Sequence, residues 1–289
     1  MEYQIFTDAT ADMSESMLFG LPPVQIIPMQ VHIGGQEYRY GPEGNITVSE
    51  FYRLQRSGQF AMTSQASPET CFSLFESALR EGKDILYLGF SSAMSGMFQV
   101  ANLCAKELRA QYPERMIMCI DTLCGSVGEG MLVCEVLRKQ AEGISYEDLC
   151  IWILDNRLNI CHWFTVDTFE HLKHGGRVSA ASAFMGTMLN IKPMLHIDGD
   201  GKLCAMEKPR GSKKAMEAQL NKMQQGWDPE ISNLVVIGHA DCPERALELK
   251  EQVKKQFPAA DIHLADIGPI IGAHTGPGML ALIFWGNVR

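Results

Sequence analysis

Short apolar runs that stop at a turn and pass into helical periodicity recur through the first half of the chain. Tyr3 to Phe6 precedes Asp8, Ile85 to Leu88 precedes Ser91, and Met116 to Ile120 precedes Asp121. This alternation is the βα rhythm of a parallel sheet. The helices between the runs announce their starts. Thr47-Val-Ser-Glu50 is a capping box, and Ser67 followed by Pro68 pairs an N-cap with a first-turn proline. A further helix is expected from near Ser126 to about Gly143, and another from Ser145 to about Asn156.

From Ile160 the character changes. The pattern predicts a strand over Ile160 to Val166, a short helix ending in His174-Gly175-Gly176, and a small-residue helix from about Ser179 to Leu189. A strand from Ile191 to Ile197 then turns at Asp198-Gly199-Asp200-Gly201 into a strand from Lys202 to Glu207, a hairpin. A helix from about Ser212 to Gln225 and a β, α, β run from Leu234 to Ala265 follow. The shift predicts an N-terminal α/β domain over residues 1–158 and a C-terminal α+β domain over residues 159–289. No Pro-, Gly- and Ser-rich linker separates them, so the halves are expected to pack closely around a cleft.

Composition narrows the partners. The 289 residues are 46% hydrophobic, ample for packed cores, and carry a net charge of -9. That charge repels nucleic acid and anionic membrane surfaces, so small ligands and protein partners fit better. Nine cysteines with no C-x-x-C pair read as reduced thiols, and no metal site is expected. The N-terminus has no basic stretch leading into an apolar one, and no window approaches the roughly 18 apolar residues of a membrane span. A cytoplasmic protein without membrane insertion is the expectation.

Several loops place small polar residues just after apolar strands, at the carboxyl edge of a parallel sheet. They are Thr7 to Asp12, Thr63 to Pro68, Gly89 to Gly96 and Asp121 to Ser126. Each alone is ordinary helix capping. The second half adds Asp167 to Arg177 and Gly272-Ala273-His274-Thr275-Gly276-Pro277-Gly278. Three glycines and a proline around one histidine point to a backbone shaped for close approach.

Seven segments in order, TDATAD, TSQASPETCF, GFSSAMSGMFQVAN, IDTLCGSVGEG, VDTFEHLKHGGRVSAASAFMGTMLNIKPML, KPRGSKKA and IGPIIGAHTGPG, resemble the DegV family of fatty-acid-binding proteins from end to end. The resemblance implies a two-domain α/β fold, with a mainly parallel-sheet, Rossmann-like N-terminal domain and an α+β C-terminal domain. A long-chain acid such as palmitate, stearate or oleate would lie in a tunnel between them. It implies a carrier rather than an enzyme, with no cofactor and no metal. In Gram-positive bacteria such proteins present the acid to a fatty-acid kinase, which makes an acyl phosphate. By motif position, Thr63 and Ser92, with Ser91 beside it, match the family's hydroxyls on the carboxylate. Arg177 and His274 match its basic residues there.

The chemistry is consistent with that transfer. A tail of about 16 carbons at roughly 0.8 kcal/mol per buried CH₂ offers on the order of 12 kcal/mol before losses of freedom. A buried carboxylate needs hydroxyl donors and a cation. Phe184, Met185, Met188 and Leu189, with Met94 and Met97, are candidates for the apolar lining, although such spacing is more often core. Ala9, Ala66 and Met97 depart from the family pattern, and Ala9 and Met97 each remove a hydroxyl. The basic cluster Lys208 to Lys214 is expected to dock an acidic patch on the kinase.

A serine hydrolase is the alternative. Gly89-Phe90-Ser91-Ser92-Ala93 follows a strand, and Asp167 or Asp266 followed by His274 gives the order Ser, Asp, His. Against it, Ala93 replaces the last elbow glycine and no oxyanion segment precedes it. The glycines of Gly125 to Gly130 are in the wrong order for a dinucleotide, and no P-loop occurs.

Overall fold

The computed structural model describes residues 2–177 and 191–289. The chain begins with β1 (Tyr3–Asp8), α1 (Glu15–Leu18), β2 (Gln25–Ile27), β3 (Met29–Ile33), β4 (Gln36–Tyr40), α2 (Val48–Arg56) and β5 (Ala61–Ser64). It continues with α3 (Pro68–Arg80), β6 (Asp84–Gly89), α4 (Met97–Gln111), β7 (Ile117–Asp121), α5 (Val127–Ala141) and α6 (Tyr146–Asn156). Then come β8 (Ile160–Thr165), α7 (Glu170–His174), β9 (Met194–Ile197), β10 (Leu203–Glu207) and α8 (Gly211–Gly226). The last elements are β11 (Leu234–His239), α9 (Pro243–Gln256), β12 (Asp261–Asp266), α10 (Pro269–Thr275) and β13 (Leu280–Trp285).

The apolar runs of the first half become a parallel sheet in the order β2-β1-β6-β7, with Tyr3 opposite Asp84 and Ile85 opposite Ile117. All six residues of β6 are buried, as expected for a central strand covered on both faces. The predicted caps form. Thr47 Oγ1 accepts from the Glu50 amide at 3.2 Å while Glu50 accepts from the Thr47 amide at 3.0 Å, and Ser67 and Ser145 each accept from an amide three residues on.

A second sheet has the order β10-β9-β8-β13-β11-β12, parallel only between β11 and β12. Its hairpin turns at Asp198 to Gly201 as predicted, but β9 starts at Met194 rather than Ile191. Pro193 supplies no N–H for a ladder, and Ile191 makes only an isolated bridge to Arg210. The small-residue helix expected over 179–189, with the lining candidates Phe184, Met185, Met188 and Leu189, lies outside the described residues.

A third, antiparallel sheet, β4-β3-β5, has no counterpart in the expectations. Its strand β4 reads Gln-Glu-Tyr-Arg-Tyr, too polar to register as an apolar run. The tight turn Gly34-Gly35, with φ of 64° and 74°, is nevertheless a hairpin signal. Strand β13, six buried residues, also goes unpredicted.

Every strand through β7 belongs to the first or third sheet, and every strand from β8 onward to the second. Helix α5 spans the seam. It follows β7 in the chain but packs on β8, β11 and β13. Val127 through Cys134 are all buried, so α5 is a core helix on every side. Close approach is made possible by Gly128, where a Cβ would stand 2.1 Å from Nε2 of the buried His162. That ring is held at both nitrogens, by the Ile160 carbonyl at 3.0 Å and the Gly125 amide at 3.3 Å, and cannot swing aside.

Gly128→Ala is therefore expected to destabilise the protein by about 1–3 kcal/mol, the cost of overpacking. A denaturant midpoint equal to that of the wild type would show that the seam yields.

Candidate functional site

A cavity runs between the sheets, with about 800 Å³ of space free of protein atoms, open solvent at its mouth included. Its walls are mostly apolar: Met29, Phe90, Met94, Val127, Phe164, Leu172, Ile197, Leu203, Ile270, Met279 and Ile283 among them. Thr63, Arg177 and His274 line it together.

These three reach one another from distant parts of the chain. Strand β5 carries Thr63, and α10, packed on β5, carries His274 at its end. Thr63 Oγ1 and His274 Nε2 are 2.8 Å apart. Arg177 follows α7; its Nη1 donates to the Gly175 carbonyl at 2.6 Å and its Nε to the Met94 carbonyl at 3.3 Å. Among the described residues no carboxylate forms an ion pair with it.

Burial, reinforced by Arg177 and His174, pushes the His274 pKa down to about 4, so the ring is neutral at neutral pH. The local cation is Arg177, a guanidinium that stays charged although burial lowers its pKa. His274 Nδ1 is buried without a partner, and a Cβ at Gly175 would lie 2.1 Å from it. A buried N–H with no acceptor is costlier than a buried acceptor with no donor, which favours Nδ1 as the nitrogen without the hydrogen. The ring proton is then on Nε2 and donated to Thr63 Oγ1, which frees the Thr63 hydroxyl proton for an anion in the cavity.

The serines are placed differently from the motif-based expectation. Ser91 is fully buried, outside the lining, and its Oγ donates to the Gly201 carbonyl at 2.7 Å. Ser92 is half-buried and also outside the lining, its amide on the Asp121 carboxylate at 3.2 Å. Ser95, from the same loop, does line the cavity. The hydrolase alternative fails on this geometry. A nucleophile needs an exposed hydroxyl beside its base, whereas Ser91 is enclosed and His274 Nε2 is engaged by Thr63. Met94 lines the cavity, while Met97 is core.

Three further hydroxyls at the wall, Thr10, Ser126 and Thr275, lie beyond the motif-based assignment. Ser126 Oγ donates to Asp12 Oδ2 at 2.6 Å, and the Gly268 amide donates to Asp12 Oδ1 at 2.8 Å. Thr10 Oγ1 stands 2.5 Å from Asp8 Oδ1 and 2.9 Å from Glu129 Oε2. One hydroxyl hydrogen serves one of these contacts, so the other needs a protonated carboxyl. Asp8 already accepts from Tyr87 Oη at 2.6 Å and the Thr10 amide at 3.0 Å, against one further donor to Glu129, Thr7 Oγ1 at 3.2 Å, which favours the proton on Glu129. Burial first, and then the Asp8 charge, raise the Glu129 pKa well above the ordinary carboxyl value. The signal in the sequence was the spacing Asp8, Thr10, Asp12 after a buried strand.

No group of three or more His, Cys, Asp or Glu among the described residues is placed to hold a metal ion, and all nine cysteines are free. No helix among them is long and apolar enough to cross a membrane.

Comparison with known proteins gives a consistent picture. A family model described as "Uncharacterised protein, DegV family" matches residues 2–287. A DegV domain-containing protein of Clostridium perfringens is 34% identical over 288 residues, covering 100% of this chain and 99% of the relative. A solved DegV family structure from Thermus thermophilus, reported for its fatty acid binding, is 30% identical with a TM-score of 0.87, covering 99% of this chain and 100% of that one. A Thermotoga maritima structure, reported as revealing fatty acid binding function, is 26% identical with a TM-score of 0.82 at 99% and 100% coverage.

The buried acids make stability depend on pH. Asp12 rises from 3.8 to about 7, chiefly through burial, so the folded chain keeps a proton that the unfolded chain has released. Its contribution is full below 3.8 and is lost as pH rises to about 7. Asp12→Asn is expected to flatten the fall in stability across that window, measured by urea midpoints. An unchanged slope would remove Asp12 as its source.

Proposed function

The chain belongs to the DegV family, and from that premise we propose that it is a carrier of long-chain fatty acids, with no chemistry of its own. The reading rests above all on the polarity of the cavity: one long apolar wall, with Thr63, Arg177 and His274 converging at a single end. An amphiphile with one anionic group and a flexible apolar tail matches that distribution. The Thermus and Thermotoga relatives, reported for fatty acid binding, support it.

In this arrangement Arg177 supplies the charge opposite the carboxylate and the freed Thr63 hydroxyl donates to it. His274 orients Thr63 rather than acting as a cation. The tail extends between Met29, Leu172 and Met279 toward Ile197 and Leu203. Thr63, Met94, Ser95, Arg177 and His274 are half-buried while Ile197, Leu203, His162 and Ile283 are buried, so the polar end is the one that meets the surface. A carboxylate at that end is within reach of a second protein. We propose on this ground, and on the motif resemblance, that the partner is a cytoplasmic fatty-acid kinase that phosphorylates the bound acid.

Native mass spectrometry of the purified protein, with denaturing extraction of what it releases, tests the carrier reading. The expected result is one long-chain acid per chain. A ligand-free mass that does not shift with palmitate or oleate would sink it. Arg177→Ala is expected to weaken binding by about 1.5–3 kcal/mol, the range for a hydrogen bond to a charged group, as read by calorimetry.

A further inference from the structure

The β9–β10 turn, Asp198-Gly199-Asp200-Gly201, takes no part in the polar end of the cavity, yet it is fastened twice to other segments. Ser91 Oγ donates to the Gly201 carbonyl at 2.7 Å. Only glycine fits there: φ is 74°, and a Cβ would stand 2.3 Å from Ser91 Oγ. From the other side, Arg289 Nε donates to the Asp198 carbonyl at 3.3 Å, while its Nη1 donates to the Arg157 carbonyl at 2.6 Å and meets Cys124 Sγ at 3.5 Å. The Ser91 amide donates to the Cys124 carbonyl at 2.9 Å, so both fasteners converge on the loop between β7 and α5. A guanidinium is suited to this task because its fixed fork of donors can serve several segments at once.

What the turn covers follows from the register of the second sheet. Ala281 pairs with Phe164 and Ile283 with His162, while Ile197 pairs with Leu203 across the hairpin. Strand β13 leaves the His274 end at Met279, so Ile283 lies about 14 Å farther in, at 3.4 Å per residue. Ile197 and Leu203, the cross-strand pair at the root of the turn, line the cavity and are buried. Gly125, next to Cys124, lines it too. The turn itself is exposed at Gly199 and Asp200, and β10 is an edge strand, the kind of hairpin that opens first.

We infer that Ser91 and Arg289 form a two-point latch that holds the β9–β10 turn across the deep end of the cavity and so sets the longest acyl tail the protein accepts. The inference rests on the fatty-acid reading for its ligand. The latch itself belongs to the free chain.

Arg289→Met, with Ser91→Ala as the second variant should the first fail to fold, tests it by two readouts. In hydrogen exchange of the free protein, amides of residues 197–203 are expected to exchange about tenfold faster, the effect of one lost hydrogen bond, with the parallel sheet unchanged. In calorimetry across saturated acids from lauric to behenic, wild-type affinity should climb about fourfold per added CH₂ and then break off. The Arg289 variant should move that break to a longer acid while binding lauric acid as before. An unmoved break, equal weakening at all lengths, or unchanged exchange of the turn overturns the latch. A wild type that binds no acid at all overturns the carrier reading instead and leaves the exchange result to decide whether the turn is latched.

Discussion

Asp12 is 5% exposed, and its two oxygens join three segments that no sheet connects: the loop after β1, the start of α5 and the start of α10. Most of the site hangs from this carboxyl. Ser126, held by it, sits at φ 54° and ψ -133°, a conformation uncommon for a residue other than glycine. From there α5 enters the seam with Gly128 against His162. From Gly268, α10 sets out and carries His274 in its last turn. The wall of the cavity and the histidine at its mouth are therefore positioned by one group, through backbone rather than through direct contact.

The electrostatics of the seam follow from the same economy of donors. Three acids, Asp8, Asp12 and Glu129, lie buried close to a cavity that is proposed to take an anion. Three bare carboxylates would repel it. Sharing a proton along Glu129, Thr10 and Asp8 reduces that charge, and the raised pKa of Asp12 reduces it further. His274, neutral, adds no positive charge of its own. Among the described residues Arg177 is left as the cation lining the cavity, the point where the anionic end of the proposed ligand would rest.

Much of this was legible in the residues and some was not, for physical reasons. Continuous apolar runs and side-chain caps are local signals, and β1, β6, β7 and the starts of α2, α3 and α6 follow from them. The hairpin at Asp198 to Gly201 follows from its turn chemistry. Strand β4 is polar and half-exposed, so nothing but the glycine pair before it betrays the small sheet that carries Thr63. The convergence of Thr63, Arg177 and His274 could be expected only from resemblance, since contacts between residues 211 positions apart leave no local trace. Ser91 illustrates the limit of motif position: a hydroxyl at the carboxyl end of a buried strand is equally suited to a ligand or to a neighbouring turn, and here it takes the turn.

The register of the second sheet also has a bearing on how the chain assembles. Strand β1 finds β6 within the first 90 residues, so the parallel sheet can close while the rest of the chain is still being made. Strand β8 must wait for β13, where Thr165 meets Leu280, more than a hundred residues later. Pairing at that separation carries the loop-closure cost of a long detour and is slow. Helix α5 emerges early, and its face toward the second sheet stays uncovered until β8, β11 and β13 are joined. During synthesis it is the segment most exposed to wrong partners, and the interval before β13 arrives is when a chaperone would matter most.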